Sequence, residues 1–251
     1  MHTAVSRVDP PEFSIVTVTF NCQETIEETM KSVFSQTYTN YEYLVIDGKS
    51  TDRTPKIVSR YASSLAAFIS ENDRGIYDAM NKGIRLAKGR WILFLNSGDV
   101  LADPSVLEKV AAVADSTSAD VLYGDILIRK SGELIVKPAS EPCNKHRMYF
   151  CHQSAFTRLA VMKALPFDLR FKLSADFYFF KQCYYKGLSF RHIPLPVVIY
   201  DRNGISNRHR LAGLSENVKV VKCLDRGWTR ATFLLRLYFV MARLKLTGKN
   251  R

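Results

Sequence analysis

A chain of 251 residues with 47% hydrophobic content can bury a substantial core as one large domain, or as one domain with a small appendage. Its 36 Lys and Arg against 24 Asp and Glu, a formal charge of +12, direct the surface toward anionic partners: nucleic acid, phosphorylated substrates or an anionic membrane face. Five scattered cysteines speak for reduced thiols against a disulfide framework, and no window reaches the roughly 18 uncharged apolar residues of a membrane span.

Residues 1–12, with Asp9-Pro10-Pro11-Glu12, read as an exposed lead-in without the apolar run of a signal peptide. Residues 13–20 are β-branched and apolar, the composition of a central strand, and stop at Asn21-Cys22. A helix should follow, because Glu24, Glu27 and Glu28 suit its dipole and Ile26, Met30, Val33 and Phe34 recur at helical spacing. A short buried strand at 43–46 runs into a polar loop, 47–54, and then a helix over 54–63. Residues 68–70 predict a third strand and 71–75 a loop. Over 76–88, Ile76, Ala79, Met80, Gly83, Ile84 and Ala87 stand three and four apart, an amphipathic helix whose Gly83 permits a close approach.

Residues 91–95 are five apolar residues, too few for a free helix and rich enough for a strand buried on both faces. Three strand–loop–helix units in a row imply an α/β fold with a doubly wound, mainly parallel sheet, the loops after Phe20, Ile46 and Leu95 sharing one edge. Asn96-Ser97-Gly98 is turn chemistry that delivers Asp99 at the carboxyl end of its strand, where such sheets place ligands. That position makes Asp99 a candidate metal ligand. Asp47 also ends a buried strand and is assigned to ligand binding, whereas Asp52 reads as a helix cap.

Further along, 105–114 predicts a helix, and 121–128 with 134–136 a β-hairpin across Ser131-Gly132. Residues 138–175 are loop-rich, with Cys151-His152-Gln153-Ser154-Ala155-Phe156 as their most distinctive run. Ser174 is the expected N-cap of a helix that carries Phe177, Phe180, Cys183 and Tyr184 on one face and Asp176 in its first turn. Residues 190–200 look like a strand, and Pro194 and Pro196 assign it to a sheet edge. A basic loop over 202–210 and helices over 211–225 and 228–246 complete the chain.

Four separated patches carry a family resemblance: Asp47-Gly48-x-Ser50-x-Asp52-x-Thr54, Asn81-x-Gly83, the apolar strand closing in Asp99, and Asp176 opening a helix. In this order and spacing they resemble the family 2 glycosyltransferases of the GT-A fold, over about residues 13–210. The runs 73–83 and 95–99 are similar to a bacterial branch that builds cell-surface polysaccharides, including colanic-acid-type transferases.

The resemblance implies a Rossmann-like GT-A domain, with a nucleotide-sugar-binding half at 13–103 and an acceptor and catalytic half at 104–210. The donor would be a nucleoside-diphosphate sugar, UDP favoured and GDP open. Asp47 matches the nucleoside-contacting acid, Thr19, Phe20 and Asn21 the loop along base and ribose, Asp73 with Gly75 a further nucleoside contact, and Asn81 a donor-side position. Asp99 matches the last acid of the DxD motif, which holds Mg2+ or Mn2+ between the two phosphates. Here Asn96 and Gly98 replace the earlier acids, so the metal would rest on Asp99, phosphate oxygens and water. Asp176 matches the catalytic base of an inverting transfer, with Ala175 where many members have Glu. Arg202 and Arg208, with Arg210, read either as a lid over the diphosphate or as a solvated basic loop. Cys143-x-x-His146 and Cys151-His152 fit no usual structural-zinc spacing, and His152 is read as an acceptor-side or packing residue.

In the segment 211–251, Leu234, Leu237, Tyr238, Met241 and Leu244 lie on one side of a helix and Arg236 and Arg243 on the other. A helix in the lipid headgroup region fits, aided by Arg226, Arg230, Lys245, Lys249 and Arg251; a core-packing helix is the other reading. The expectation is a cytoplasmic enzyme, peripheral on the inner membrane face, acting on a glycan or lipid-linked glycan. A basic nucleic-acid-binding protein and an inactive GT-A-like protein are the rivals. Carboxylates gathered at strand ends oppose nucleic acid as a partner, since they repel phosphate without a metal.

Overall fold

The computed structural model describes residues 10–130, 132–201 and 209–247. Arg202 and Arg208 therefore lie outside the described residues, as do Ser131, Lys249 and Arg251. Nine strands form one sheet in the order β3-β2-β1-β4-β8-β6-β9-β5, with β7 paired to β6.

The first half follows from the alternation of apolar strand and amphipathic helix. β1 (Phe13–Thr19), β2 (Tyr41–Asp47), β3 (Ala67–Ser70) and β4 (Trp91–Phe94) pair in parallel. They are linked by α1 (Ile26–Phe34), α2 (Thr54–Ser59) and α3 (Ile76–Leu86). All seven β1 residues are buried, and the two-residue period sends alternate side chains into two cores. Val16 and Val18 pack with α3 on one face, while Phe13 and Ile15 pack with α1 on the other. Gly83 permits the approach foreseen for it: a Cβ there would lie 2.6 Å from Val16 Cγ1.

The second half departs from expectation in three places. β8 (Ala155–Arg158) and α5 (Leu159–Ala164) lie within the stretch read as loop, and the two-residue β5 (Val100–Leu101) follows Asp99. Segments this short carry no usable period. The strand β9 (Phe190–Tyr200) is interior, parallel to β6 (Val121–Lys130) and antiparallel to β5, which corrects its assignment to an edge. Pro194 and Pro196 are accommodated by an irregularity, since the register shifts beside the Asp125–Pro196 pair and a bulge leaves ladder positions unpaired. The hairpin of β6 with β7 (Glu133–Lys137) is as expected. α4 (Val106–Ala114) buries its apolar side in the same core as α1.

α6 (Ala175–Tyr185) opens next to the site, and its N-terminus corrects a second expectation. The Ser174 hydroxyl does not cap; it donates to Gly213 O at 3.2 Å. Instead the buried Glu216 carboxylate accepts the N–H groups of Lys172, Leu173 and Ser174 at 2.9, 2.7 and 3.0 Å. Glu216 belongs to α7 (Arg210–Leu224), which forms a hairpin with α8 (Gly227–Leu246) around Val218, Val221, Phe233 and Leu237. A second tie is the buried ion pair of Lys181 on α6 with Asp225 between α7 and α8, at 3.1 Å. Leu234, Leu237, Met241 and Leu244, the side expected to meet lipid, face inward in whole or part, while Tyr238 does not. The inward side of α8 thus serves the fold, a correction to the face assigned from sequence.

Two glycines give opposite expectations. A Cβ on Gly89 would sit 2.6 Å from Ser14 N and 2.7 Å from Phe13 C, both backbone, whereas Gly213 inside α7 has open space. Gly89→Ala is expected to lose about 1–3 kcal/mol, and Gly213→Ala to gain up to about 1 kcal/mol. Urea denaturation midpoints check both signs.

Candidate active site

The site forms where strand order reverses, at the carboxyl ends of β1 and β4, the position at which open α/β sheets bind ligands. Past β4 the chain keeps its pairing with β1, through Leu95 N–H to Val16 O at 3.0 Å and Ser97 N–H to Val18 O at 3.3 Å. It then turns at Gly98, whose φ of +102° suits glycine. This presents Asp99, buried, with Oδ1 accepting the Asp201 N–H at 2.8 Å. Burial pushes the Asp99 carboxyl up to about 7, against the pull of the Asp201 N–H, His152 and the Gln153 side chain, while the Asp201 charge adds to the rise.

Asp176 approaches from the first turn of α6. Its Oδ1 accepts the Tyr77 hydroxyl at 2.9 Å and the Phe177 N–H at 2.8 Å, and Oδ2 lies 2.9 Å from His152 Nδ1. Burial alone would raise its pKa, but hydrogen bonding and charge from His152, then Tyr77 and the Phe177 N–H, hold the carboxyl below its ordinary range. The other ring nitrogen of His152 lies 3.3 Å from the Asn96 amide. With Nδ2 assigned to that contact, Nε2 accepts and Nδ1 donates to Asp176. His152 therefore ties the loop that carries Asp99 to the helix that carries Asp176. The side chains of His152 and Asp176 keep 13% and 14% exposure, so the pair reaches solvent.

A second cluster lies at the ends of β1, β2 and β3. The Phe20 ring is 59% exposed, and a Cβ on Gly48 would stand 3.4 Å from its edge and 2.4 Å from Asp73 Oδ2. A bare backbone, an aromatic face and a carboxylate thus share one ledge. Asp73 Oδ1 also accepts the Gly75 N–H at 2.8 Å. Asn21, at φ +51°, accepts the Thr51 N–H at 2.9 Å, which closes the loop behind Phe20. The Thr19 hydroxyl is buried with no hydrogen-bond partner among the described residues.

Two expected donor contacts are placed elsewhere. Asp47 is fully buried beneath the ledge and accepts the Ser50 N–H and the hydroxyls of Ser50 and Ser70, so it builds the turn. Asn81 exchanges two hydrogen bonds with the Phe167 backbone, at 2.8 and 2.9 Å, and fastens α3 to the segment before α6. Asp52, expected as a helix cap, lies one residue before the N-cap position Arg53 and accepts the N–H groups of Thr54 and Gln23, so it braces the turn ahead of α2.

A sequence model of "Glycosyl transferase family 2" matches residues 14–184. The chain belongs to this family. This family 2 glycosyltransferase is 29% identical over 238 residues to a "PGL/p-HBAD biosynthesis glycosyltransferase" of Mycobacterium bovis, covering 93% of this chain and 90% of the relative. It is 40% identical over 87 residues to the Escherichia coli "UDP-Glc:alpha-D-GlcNAc-diphosphoundecaprenol beta-1,3-glucosyltransferase WfaP", covering 34% and 35% of the two chains. Among solved structures, the mannosyltransferase PcManGT of Pyrobaculum calidifontis, in complex with GDP-Man and Mn2+, superposes with a TM-score of 0.68 at 18% identity, covering 96% of this chain and 80% of that one. The fold is GT-A.

Sequence reasoning missed Tyr77, Gln153 and Asp201 and did not foresee that His152 holds Asp176. Only Asp201 had a usable signal, since it ends a strand as Asp99 does. The oxygen set around Asp99 suits a hard cation. Asp201 stands beside it, with Oδ2 3.0 Å from where a Gly98 Cβ would lie, and Asn96 Oδ1 is buried with no hydrogen bond among the described residues. Among the described residues no three or more His, Cys, Asp and Glu side chains form a complete cage. A bound ion would therefore need the phosphates of the donor.

The raised Asp99 pKa has a defined sign. Its proton is held more tightly in the folded state, with a pKa of about 7 against 3.8 for the free group, so this residue's contribution to stability falls as pH rises through that interval. In chelator, wild type should lose stability between pH 5 and pH 8, and Asp99→Asn should lose less, by on the order of a few kcal/mol. Urea unfolding at both pH values measures the difference, and equal slopes would refute the burial described.

Proposed function

We propose that the enzyme is an inverting transferase that moves a sugar from a nucleoside-diphosphate donor, UDP favoured, to a lipid-linked glycan acceptor. The observation that carries this reading is the junction of Asp99 and Asp176 through His152 in one solvent-reaching cluster. Asp176, kept ionised at neutral pH by its three donors, takes the proton of the acceptor hydroxyl as that oxygen bonds to the anomeric carbon and the bond from that carbon to the diphosphate breaks, the nucleoside diphosphate leaving from the opposite side. His152 and Tyr77 hold the carboxylate in position.

Phe20 would lie along the base, with Thr19, Asn21, Asp73 and Gly75 toward base and ribose. The bare backbone of Gly48 admits the nucleoside to the ledge. UDP-Glc in the name of one relative and GDP-Man in one structural neighbour support the donor class without choosing the base. When bound, Mg2+ or Mn2+ would neutralise charge on the departing diphosphate. Asp99 would hold it, with Asp201 and Asn96 Oδ1 at hand. Arg202 and Arg208 would add positive charge at the same diphosphate. The diphosphoundecaprenol acceptor named for the E. coli relative supports a lipid-linked acceptor and work at the inner membrane face.

Asp176→Asn should leave donor affinity within twofold and lower transfer by at least about 10²–10⁴-fold, measured by calorimetry and by nucleoside diphosphate release. Wild-type-like turnover would overturn the assignment. His152→Gln removes the chief donor that depresses the Asp176 pKa, so the acidic limb of the kcat profile should move to higher pH as kcat drops. A thermal-shift panel of UDP, GDP and their sugars, with and without Mg2+ or Mn2+, selects the nucleotide.

A further inference from the structure

No described helix is long and apolar enough to cross a membrane, yet α8 is apolar on two opposite faces. The inward one, with Phe233, Leu237 and Leu244, is buried against the protein. The outward one carries Trp228, Leu235, Phe239 and Leu246, which are 86%, 72%, 68% and 88% exposed. These four are seven, four and seven residues apart, which at 3.6 residues per turn aligns them in one seam about 27 Å long. Single exposed apolar residues are ordinary on soluble proteins, but a continuous line of large ones marks a contact surface.

The charge around the seam indicates what covers it. From 209 to 247 the exposed lysines and arginines are Arg210, Lys219, Lys222, Arg226, Arg236, Arg243 and Lys245. The two acids of that stretch, Glu216 and Asp225, are both buried on partners of their own. Helical geometry sets Arg236 and Arg243 along one border of the seam and Lys245 along the other. Two copies packed seam to seam would bring these cations together with no carboxylate on the helix to offset them. A layer of lipid phosphates offers the opposite charge, and acyl chains accept the aromatic and aliphatic side chains.

We propose that the outward face of α8 lies in the headgroup region of an anionic bilayer, with Trp228, Leu235, Phe239 and Leu246 inserted and Arg236, Arg243 and Lys245 on the phosphates. This deepens the membrane contact of the proposed function by assigning it a face different from the one the sequence pattern suggested. The link to the site is mechanical, since Glu216 and the Lys181–Asp225 pair attach the α7–α8 hairpin to α6, which bears Asp176.

Flotation of the full chain with phosphatidylcholine vesicles, with and without phosphatidylglycerol, tests it. Binding should require the anionic lipid and weaken with salt. Leu235→Ser with Phe239→Ser should lower partitioning at least about tenfold, with the melting temperature and donor-induced thermal shift kept. The protein has two tryptophans, and Trp91 is buried, so a blue shift on vesicle addition reports Trp228. No binding to anionic vesicles would overturn the membrane contact itself. Undiminished binding by the double variant would overturn the assigned face alone, as would a wild-type dimer in light scattering that the double variant dissociates.

Discussion

The carboxylate of Asp176 is the constraint on which the rest of the structure turns. A largely buried charge of this kind persists only when it is hydrogen-bonded, and its donors are Tyr77 on α3 and His152 before β8, both distant in sequence, with the neighbouring Phe177 N–H on α6. Satisfying it draws α3 of the parallel half, the segment before β8 and the start of α6 to one point. The same donors hold the carboxyl below its ordinary pKa range, against the effect of burial.

That convergence is possible because the sheet changes character beside it. β4 meets β8 through only two residue pairs, Trp91 with Arg158 and Ile92 with Thr157. The Arg158 guanidinium lies 4.4 Å over the Trp91 ring and also donates to the backbone of Ala119 and Thr117, which secures the short junction. Beyond it β4 runs free of β8, and the chain from Asn96 to Asp99 can turn into the crevice. Here the Asp99 carboxylate accepts the backbone N–H of Asp201, the residue that follows β9. Burial, with the Asp201 charge adding to it, makes the Asp99 carboxyl hold a proton more readily than an exposed one.

The surplus of basic residues has a place in this design. The α7–α8 hairpin turns its acids inward, where they organise α6, and its cations outward. Glu216 fastens the backbone of the three residues ahead of α6, and Asp225 partners the buried Lys181. One element thereby supports the helix carrying Asp176 and presents a cationic, apolar outer surface.

Much of the first half was legible in the sequence. Buried parallel strands and amphipathic helices have distinct periods, so β1 to β4, their alternation with helices and the delivery of Asp99 by a glycine turn could be read without coordinates, while the order of the strands in the sheet could not. Asp176 in the first turn of a helix was legible by position, and with the other patches it identified the GT-A family. Tertiary structure decided what periodicity does not encode. Whether an acid at a strand end meets ligand or builds a turn depends on neighbours, and Ser50 and Ser70 close Asp47 in while Asp99 borders His152 and Asp201. Pro194 and Pro196 forbid an ordinary ladder but not a bulge, so β9 could be interior. Helix α8 is apolar on both sides, and a helical pattern cannot say which side faces the protein; only the packing of Phe233 and Leu237 against α7 settles that, because it is contact with the rest of the chain, and not spacing along it, that removes a face from water.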